Sequence, residues 1–469
     1  MNELHPALQP PGARSNGDPR PGDPRHIGAP APVEPRGVAV AVVAPEATER
    51  DVRRLVEHVR AAGVEASVYD VGPGVILLSD VSVGQIDAII GHDRAVERVF
   101  LPDTPYRLAR REVQRSGTIV HIGGVPFGGD SFGIIAGPCA VEGAEAILQA
   151  ARACAANGAV VLRGGAFKPR SSPYRFQGHG VIALEWLAAA REATGLPVVS
   201  ECLAVDMIET MYPYVDAFQV GARNMQNFDL LRALSDIDKP IVLKRGFAAT
   251  VEEWLLAAEY LLAGGNDQVI LVERGIRTFN DGTRFTLDLA SMALAKRETH
   301  LPVIVDPSHA TGEPALIAPM TFAALAAGAD GVMIEVHPAP HTALSDGDQA
   351  IRPHELGELT SRLGPIAAAV GRVLTMHPVG ELAPIFAGEV VRVRVSVARV
   401  GTTSFTLAMT ACGVGANSSA ATVPDSGDDV RARALITFVY TAAAADGRFA
   451  PTALPDGVRS MLMRAASEP

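Results

Sequence analysis

Apolar and polar positions change period along this chain, and the changes mark its parts. Between 37 and 102, Val38 to Val43 reads as a strand and Glu46 to Ala62 as an amphipathic helix. Ala66 to Val71 and Val75 to Leu78 read as strands, Ile86 to Ile90 as a second helix, and Val96 to Leu101 as a last strand. That βαββαβ order predicts a ferredoxin-like domain over 37–102, and about 65 residues suffice for a small packed domain.

Residues 103–131 read as a connector with a hairpin around Gly123-Gly124. From 132 to 373, strand and helix patterns alternate. Strands are predicted at 132–136, 159–163, 197–200, 216–220, 240–244, 268–272, 302–305 and 331–335. Eight such runs, separated mostly by helical segments, predict a (β/α)8 TIM barrel. One intervening helix is strongly signalled: Thr250-Val251-Glu252-Glu253 is a capping box, and Gly264-Gly265 ends the apolar run Trp254 to Ala263. Residues 374–469 differ again. Val390 to Val400 and Ser404 to Ala411 alternate apolar and polar side chains around a turn at Gly401-Thr402-Thr403. Cys412 to Asp429 reads as a loop, Arg431 to Tyr440 as a third strand and Pro455 to Ala465 as a closing helix. Together these predict an α/β protein with an α+β segment at its C-terminal end.

Composition narrows the class. A length of 469 residues calls for two or three domains. A hydrophobic content of 48% with 20% charged residues fits a soluble globular protein, and no apolar stretch approaches the roughly 20 residues that span a bilayer. Residues 1–36 are rich in Pro, Gly and Arg and carry no secretory h-region, so they read as a disordered tail. A net charge of −11 argues against nucleic-acid binding, yet leaves room for a local cationic site. Four cysteines without paired spacing point to a reducing, cytoplasmic setting.

The candidate chemistry sits where the predicted strands end. Cys139, His309, Glu335 and Asp346 each lie at or just past an apolar run, so parallel strands of one barrel would gather them at one rim. A thiol, an imidazole and two carboxylates suit a divalent transition metal. Taken singly, Cys139 reads more often as a small buried residue than as a ligand, and His337 and His341 compete as ligands near Glu335. Cys154, Cys202 and Cys412 read as structural. Arg163, Lys168, Arg170, Arg223, Lys244 and Arg274 would face the same mouth. Arginine forks and lysine ammoniums bind carboxylate and phosphate oxygens, so the cluster points to a multiply anionic, phosphorylated substrate beside a Lewis-acid metal.

These residues lie in runs that together resemble the 3-deoxy-D-arabino-heptulosonate 7-phosphate (DAHP) synthases. The runs are Ala136-Gly137-Pro138-Cys139-Ala140-Val141-Glu142, Leu162 to Gly178 (LRGGAFKPRSSPYRFQG), Gly221-Ala222-Arg223-Asn224, Leu243-Lys244-Arg245-Gly246, Glu273-Arg274-Gly275-Ile276-Arg277-Thr278-Phe279, Asp306-Pro307-Ser308-His309, Glu335-Val336-His337-Pro338 and Leu344-Ser345-Asp346-Gly347. The likeness extends over about 37–373, which places it with the short type I-beta branch. It implies condensation of phosphoenolpyruvate with erythrose 4-phosphate, the first step of the shikimate pathway toward aromatic amino acids. It implies that Cys139, His309, Glu335 and Asp346 hold a divalent ion (Mn2+, Fe2+, Co2+ or Zn2+). Arg163, Lys168, Arg223, Lys244 and Arg274 would hold phosphoenolpyruvate, and Lys168, Pro169, Arg170 and Ser171 would face erythrose 4-phosphate. Lys168 and His309 are the catalytic candidates. The chain departs from the usual pattern at Ala140, in place of serine, and at Ser171, in place of threonine.

The related 3-deoxy-D-manno-octulosonate 8-phosphate synthases, which use arabinose 5-phosphate, carry an Asn-Arg-Ser run where this chain has Lys168-Pro169-Arg170-Ser171. A non-catalytic aromatic amino acid sensor steering a partner such as chorismate mutase is the other alternative, and the intact set of metal and anion positions favours the enzyme. The resemblance makes the ferredoxin-like segment a regulatory domain for an aromatic amino acid. Residues 377–466 resemble the later part of a hotdog-fold thioesterase, through Gly388-Glu389-Val390-Val391-Arg392-Val393, Val400 to Leu407 and Leu454-Pro455-Asp456-Gly457-Val458-Arg459. The long hotdog helix and its acid are missing, so the expected role is packing or homo-oligomerisation.

Overall fold

The computed structural model describes residues 37–169 and 172–376, and beyond them the strand segments 391–400, 404–413, 430–439, 441–443 and 449–451. The expected tail over 1–36, Arg170 and Ser171, the turn at Gly401-Thr402-Thr403 and the helix over Pro455 to Ala465 lie outside the described residues.

The chain opens with β1 (Gly37–Val43), α1 (Glu49–Ala61), β2 (Ala66–Tyr69), β3 (Val75–Val81), α2 (Val83–Ile90) and β4 (Val96–Phe100). Their antiparallel sheet has the order β2-β3-β1-β4. β1 reads as an unbroken apolar run because both of its faces are covered. Ala39, Ala41 and Val43 pack with Leu55, Val56 and Val59 of α1, while Val40 and Val42 pack with Tyr106 and Leu108 of the connector. Helix α1 starts three residues later than its apolar pattern suggests, because Thr48 and Asp51 form a reciprocal capping box there.

Two groups fasten the connector to the barrel. Glu259 accepts the N–H groups of Arg107, Leu108 and Ala109 at 2.8, 2.8 and 3.0 Å. His300 Nε2 donates to the Leu108 carbonyl at 2.8 Å, and its Nδ1 lies 2.6 Å from the Thr118 hydroxyl. The predicted hairpin is present as β5 (Val120–Ile122) and β6 (Val125–Phe127). Its turn needs positive φ at both central residues, met by Gly123 and Gly124 at 54° and 88°.

The barrel is built from β7 (Ser131–Gly137), α3 (Ala144–Ala156), β8 (Val161–Arg163), α4 (Val181–Thr194), β9 (Val198–Cys202), α5 (Ile208–Met211), β10 (Ala217–Val220), α6 (Phe228–Ser235), β11 (Ile241–Lys244), α7 (Val251–Gly264), β12 (Val269–Glu273), α8 (Leu289–Glu298), β13 (Val303–Val305), α9 (Pro307–Thr311), α10 (Pro314–Ala326), β14 (Gly331–Glu335) and α11 (Pro353–Ala369). Each of the eight strands pairs in parallel with the next, and β14 returns to β7 to close the ring. All eight predicted strands are present. Helix α7 has the expected Thr250 capping box and a left-handed Gly265 cap.

The barrel interior is apolar. Ile135, Val161, Val199, Val242, Ile270, Ile304 and Met333 form one layer, and Val120, Ile122 and Phe127 of the hairpin join it. The hairpin therefore plugs the end of the barrel where the strands begin. A Cβ on Gly133 would stand 2.6 Å from the Phe127 ring, so this plug requires glycine there. With one end sealed, the strand C-termini are left to build a site.

A short β15 (Val373–Leu374) pairs beside the start of β7. Then β16 (Val391–Val400), β17 (Ser404–Gly413) and β18 (Val430–Val439) form an antiparallel sheet in sequence order. Cys412 and Gly413 extend β17 rather than opening the loop expected from Cys412 onward. Segments 441–443 and 449–451 make a further antiparallel pair. Among the described residues, no helix is long and apolar enough to cross a membrane.

Candidate active site

The strand ends and the loops after them line one cavity of about 410 Å³. Arg163 closes β8 and Lys244 closes β11, while Arg274 comes directly after the last residue of β12. Lys168 comes from the loop after β8, and Arg223 from the turn after β10. Five of the six expected cations line the cavity, the sixth, Arg170, lying outside the described residues; Pro169 stands beside them, and Arg175 and Arg284 join them. Seven cationic side chains thus stand against two carboxylates, Glu201 and Asp346. Arg245, next to Lys244, turns the opposite way as strand geometry demands and pairs with buried Glu273 at 2.8 Å.

Buried cations need partners, and these have them. Arg163 Nη1 reaches Glu335 Oε1 at 2.8 Å, and Lys244 Nζ reaches Asp306 Oδ2 at 2.6 Å. Lys168 Nζ donates to the Cys139 carbonyl at 2.8 Å. Arg274 lies against two parallel rings, with its guanidinium 4.8 Å from the centre of Phe247 and 4.4 Å from that of Phe285. Burial pushes the Arg274 pKa down to about 10, which leaves it charged at neutral pH. Its Nη2 donates to the His309 carbonyl at 3.3 Å, whereas its buried Nη1 has no hydrogen-bond partner among the described residues.

Asp306 organises the opposite wall. It caps α9 by accepting the His309 N–H at 3.0 Å, and its Oδ2 lies 2.7 Å from His309 Nδ1. The ring is thereby fixed with Nε2 facing Glu335 Oε1 at 3.1 Å. Burial opposes ionisation of both carboxyls. His309 and Lys244 nonetheless hold Asp306 well below the usual carboxylate range, and His309 and Arg163 do the same for Glu335. Cys139 Sγ lies 3.2 Å from Asp346 Oδ2 and 3.0 Å from the Ser345 hydroxyl. Burial, and then the Glu335 charge, push that thiol up to about 12. Asp346 is the one non-glycine residue with positive φ (50°) among the described residues, a backbone state that aspartate tolerates better than most.

The four expected metal donors thus stand as two pairs, Cys139–Asp346 and His309–Glu335. Among the described residues, no group of three or more His, Cys, Asp and Glu side chains is gathered into a ready ligand cluster. The donor chemistry nevertheless fits a divalent transition ion. Ligands at ~2.0–2.3 Å from a tetrahedral ion lie roughly 3.3–3.7 Å apart, close to the separation within each pair. The imidazole also carries a carboxylate on its other nitrogen, the usual support for a metal-binding histidine. Because Arg163 holds the Glu335 oxygen that His309 faces, a shared ion would have to draw that oxygen from the guanidinium.

Other expected candidates lie elsewhere. His337 Nε2 is 3.5 Å from Glu142 and lines a separate cavity of about 190 Å³, together with Ala140. His341 is exposed. Cys154 is buried in α3, and Cys202 is the buried last residue of β9. Arg170 and Ser171 lie outside the described residues. Sequence reasoning leaves Asp306, Arg284, Phe247, Phe285 and Gln349 without a role. Asp306 and Phe247 sit within or beside motif runs, and Arg284 and Gln349 carry no local signal.

Comparison with known proteins agrees on one family. The DAHP synthetase I family profile matches residues 112–368. A phospho-2-dehydro-3-deoxyheptonate aldolase of Thermotoga maritima is 41% identical over 346 residues, covering 71% of this chain and 98% of that protein. A 2-dehydro-3-deoxyphosphooctonate aldolase of a Geobacter species is 29% identical over 273 residues, 54% of this chain and 98% of its own length. The crystal structure of the Thermotoga maritima DAHP synthase superposes with a TM-score of 0.58 at 41% identity, over 72% of this chain and all of that one.

Proposed function

This chain is an enzyme of the DAHP synthetase I family, and from that premise we propose that it condenses phosphoenolpyruvate with erythrose 4-phosphate, releasing phosphate and 3-deoxy-D-arabino-heptulosonate 7-phosphate in a metal-dependent reaction. The observation that carries this reading is the charge surplus. Seven cations against two carboxylates surround one cavity in a chain of net charge −11. The unpaired, buried Arg274 Nη1 adds to it, since an anionic oxygen there would satisfy a donor otherwise left without a partner.

In this reading Arg163, Lys168, Arg223, Lys244 and Arg274 hold the carboxylate and phosphate of phosphoenolpyruvate. By the same resemblance, Pro169, Arg170 and Ser171 would face the four-carbon aldehyde. Cys139, His309, Glu335 and Asp346 would hold a divalent ion, which supplies Lewis-acid polarisation of the aldehyde carbonyl when bound. The cationic wall turns C3 of phosphoenolpyruvate toward that carbonyl carbon and shields the charge that builds as the new C–C bond forms. Lys168, held on the Cys139 carbonyl, is the candidate donor of a proton to the aldehyde oxygen. Water adds at C2, and the C2–O bond breaks with loss of phosphate.

The finer assignments rest on narrower support. A type I-beta, ferredoxin-like regulatory domain over 37–102 is supported by the βαββαβ order and the β2-β3-β1-β4 sheet, which precede the family match. The connector over 103–131, the barrel over 132–373 and a hotdog-like segment over 374–469 complete the proposed division. The antiparallel three-stranded sheet agrees with the last of these. An aromatic amino acid effector rests on the family resemblance, a homo-oligomer on the hotdog-like segment, and a chorismate mutase partner on the alternative sensor reading.

The test is an assay of protein stripped of metal and then supplied with manganese, following phosphoenolpyruvate loss. Turnover that needs both manganese and erythrose 4-phosphate, with little on arabinose 5-phosphate, is expected. A folded, metal-loaded protein silent with both aldehydes would overturn the reading.

A further inference from the structure

Gln349 takes no part in the chemistry described above, yet its side chain is 3% exposed and lies between two charged groups of the site. Its amide NH2 donates to Glu335 Oε2, and its amide oxygen accepts from Arg284 Nη1. The two neighbours dictate that orientation, because a guanidinium only donates and a carboxylate only accepts. A neutral amide is the side chain that meets both demands at once. Methionine would serve neither, and glutamate would set a second negative charge against Glu335.

We infer that Gln349 is a positioning residue that holds the Glu335 carboxylate with Oε1 toward His309 and ties it to Arg284 on the cavity wall. The inference rests on the metal-binding role proposed for Glu335. The carboxylate carbon lies between two sets of contacts: Oε1 faces Arg163 and His309, and Oε2 faces Gln349. Its backbone N–H is also fixed, donating to Ser308 Oγ at 2.9 Å. Without Gln349 the Oε2 side would be free, and the carboxylate could swing fully onto the Arg163 guanidinium. Arg284 lines the substrate cavity, so the chain from Arg284 through Gln349 to Glu335 links the anion wall to the metal carboxylate.

The experiment titrates cobalt(II) into full-length metal-free protein without substrate, for wild type, Gln349→Met and Arg284→Met, and records the d–d absorption spectrum. Circular dichroism and the metal-free unfolding midpoint are measured alongside. Gln349→Met is expected to weaken cobalt binding roughly 10- to 100-fold, as loss of a ligand's supporting hydrogen bond does. A changed d–d envelope and an intact fold should accompany it. Arg284→Met is expected to weaken binding less, in the same direction, and it keeps the test decisive if Gln349→Met does not fold. Cobalt affinity and spectrum within twofold of wild type in the folded Gln349→Met protein would overturn the inference, as would a lowered metal-free midpoint with unchanged cobalt binding. Wild type that binds no cobalt would overturn the metal reading itself, and the inference with it.

Discussion

Lys244 and Asp306 form a buried ion pair at 2.6 Å, and the same Asp306 oxygen faces His309 Nδ1. One carboxylate therefore neutralises a cavity-lining cation and orients the imidazole. Asp306→Asn keeps the shape and removes the charge. Removing one partner of a buried pair leaves the other uncompensated, so a loss of about 3 kcal/mol of stability is expected. Phosphoenolpyruvate affinity should fall as well, because the Lys244 ammonium loses the carboxylate that fixes its place on the cavity wall. Urea unfolding and phosphoenolpyruvate titration of the variant measure both effects; stability and affinity equal to wild type would contradict this arrangement.

Arg274 carries a second prediction. It meets Phe247 and Phe285 with its flat guanidinium and leaves Nη1 for a ligand. Lysine keeps the charge but has neither the fork nor the planar face. Arg274→Lys should raise the KM for phosphoenolpyruvate roughly 10- to 100-fold, the equivalent of losing one charged hydrogen bond. The KM for erythrose 4-phosphate should change far less. Steady-state kinetics with each substrate varied in turn would reveal the split, and an equal rise in both constants would argue against it.

The barrel is legible in the sequence because every strand is buried on both sides and reads as a short apolar run bounded by polar ends. Cys139, His309 and Glu335 are visible for the same reason, each ending or coming after such a run. The hidden part depends on pairing at a distance. Asp306 meets a lysine 62 residues earlier, and nothing local to either residue announces it. Arg284 and Phe285 lie in a polar stretch without periodicity, so their place on the cavity wall comes only from the closed ring. Thr48, whose cap moves the start of α1 from 46 to 49, acts through a hydrogen bond that apolar spacing cannot register.

His300 makes acid stability a third test. Burial pushes its pKa down to about 4, from an ordinary histidine value of 6.5. Its Nε2 donates to the Leu108 carbonyl, its Nδ1 lies 2.6 Å from the Thr118 hydroxyl, and burial holds it neutral in the folded protein. The unfolded chain binds a proton below pH 6.5, and the folded one resists it until about pH 4. Stability is therefore unaffected by His300 titration above pH 6.5 and is lost progressively as pH falls toward 4, the loss reaching about 3 kcal/mol. Urea unfolding of wild type and His300→Asn between about pH 4 and 8 should show a flatter pH dependence in the variant. Parallel curves would remove His300 as the cause.

Lys168 links the two proposed subsites. Its Nζ sits on the carbonyl of Cys139, the first of the proposed metal donors, and its side chain is 8% exposed on the cavity wall. A lysine used only as an anion ligand would contribute to binding, and its loss would appear mainly in KM. A lysine that delivers a proton as the C–C bond forms contributes to the transition state alone. Positioned acid–base groups are worth roughly 10²- to 10⁴-fold in rate, so Lys168→Met should lower kcat by that order with a much smaller rise in KM. Lys168→Arg separates the two roles further, because it restores a fixed positive charge that does not give up its proton. Anion binding should recover in Lys168→Arg while kcat stays low. If kcat recovers along with KM, Lys168 is an electrostatic ligand and the proton must come from another group in the cavity.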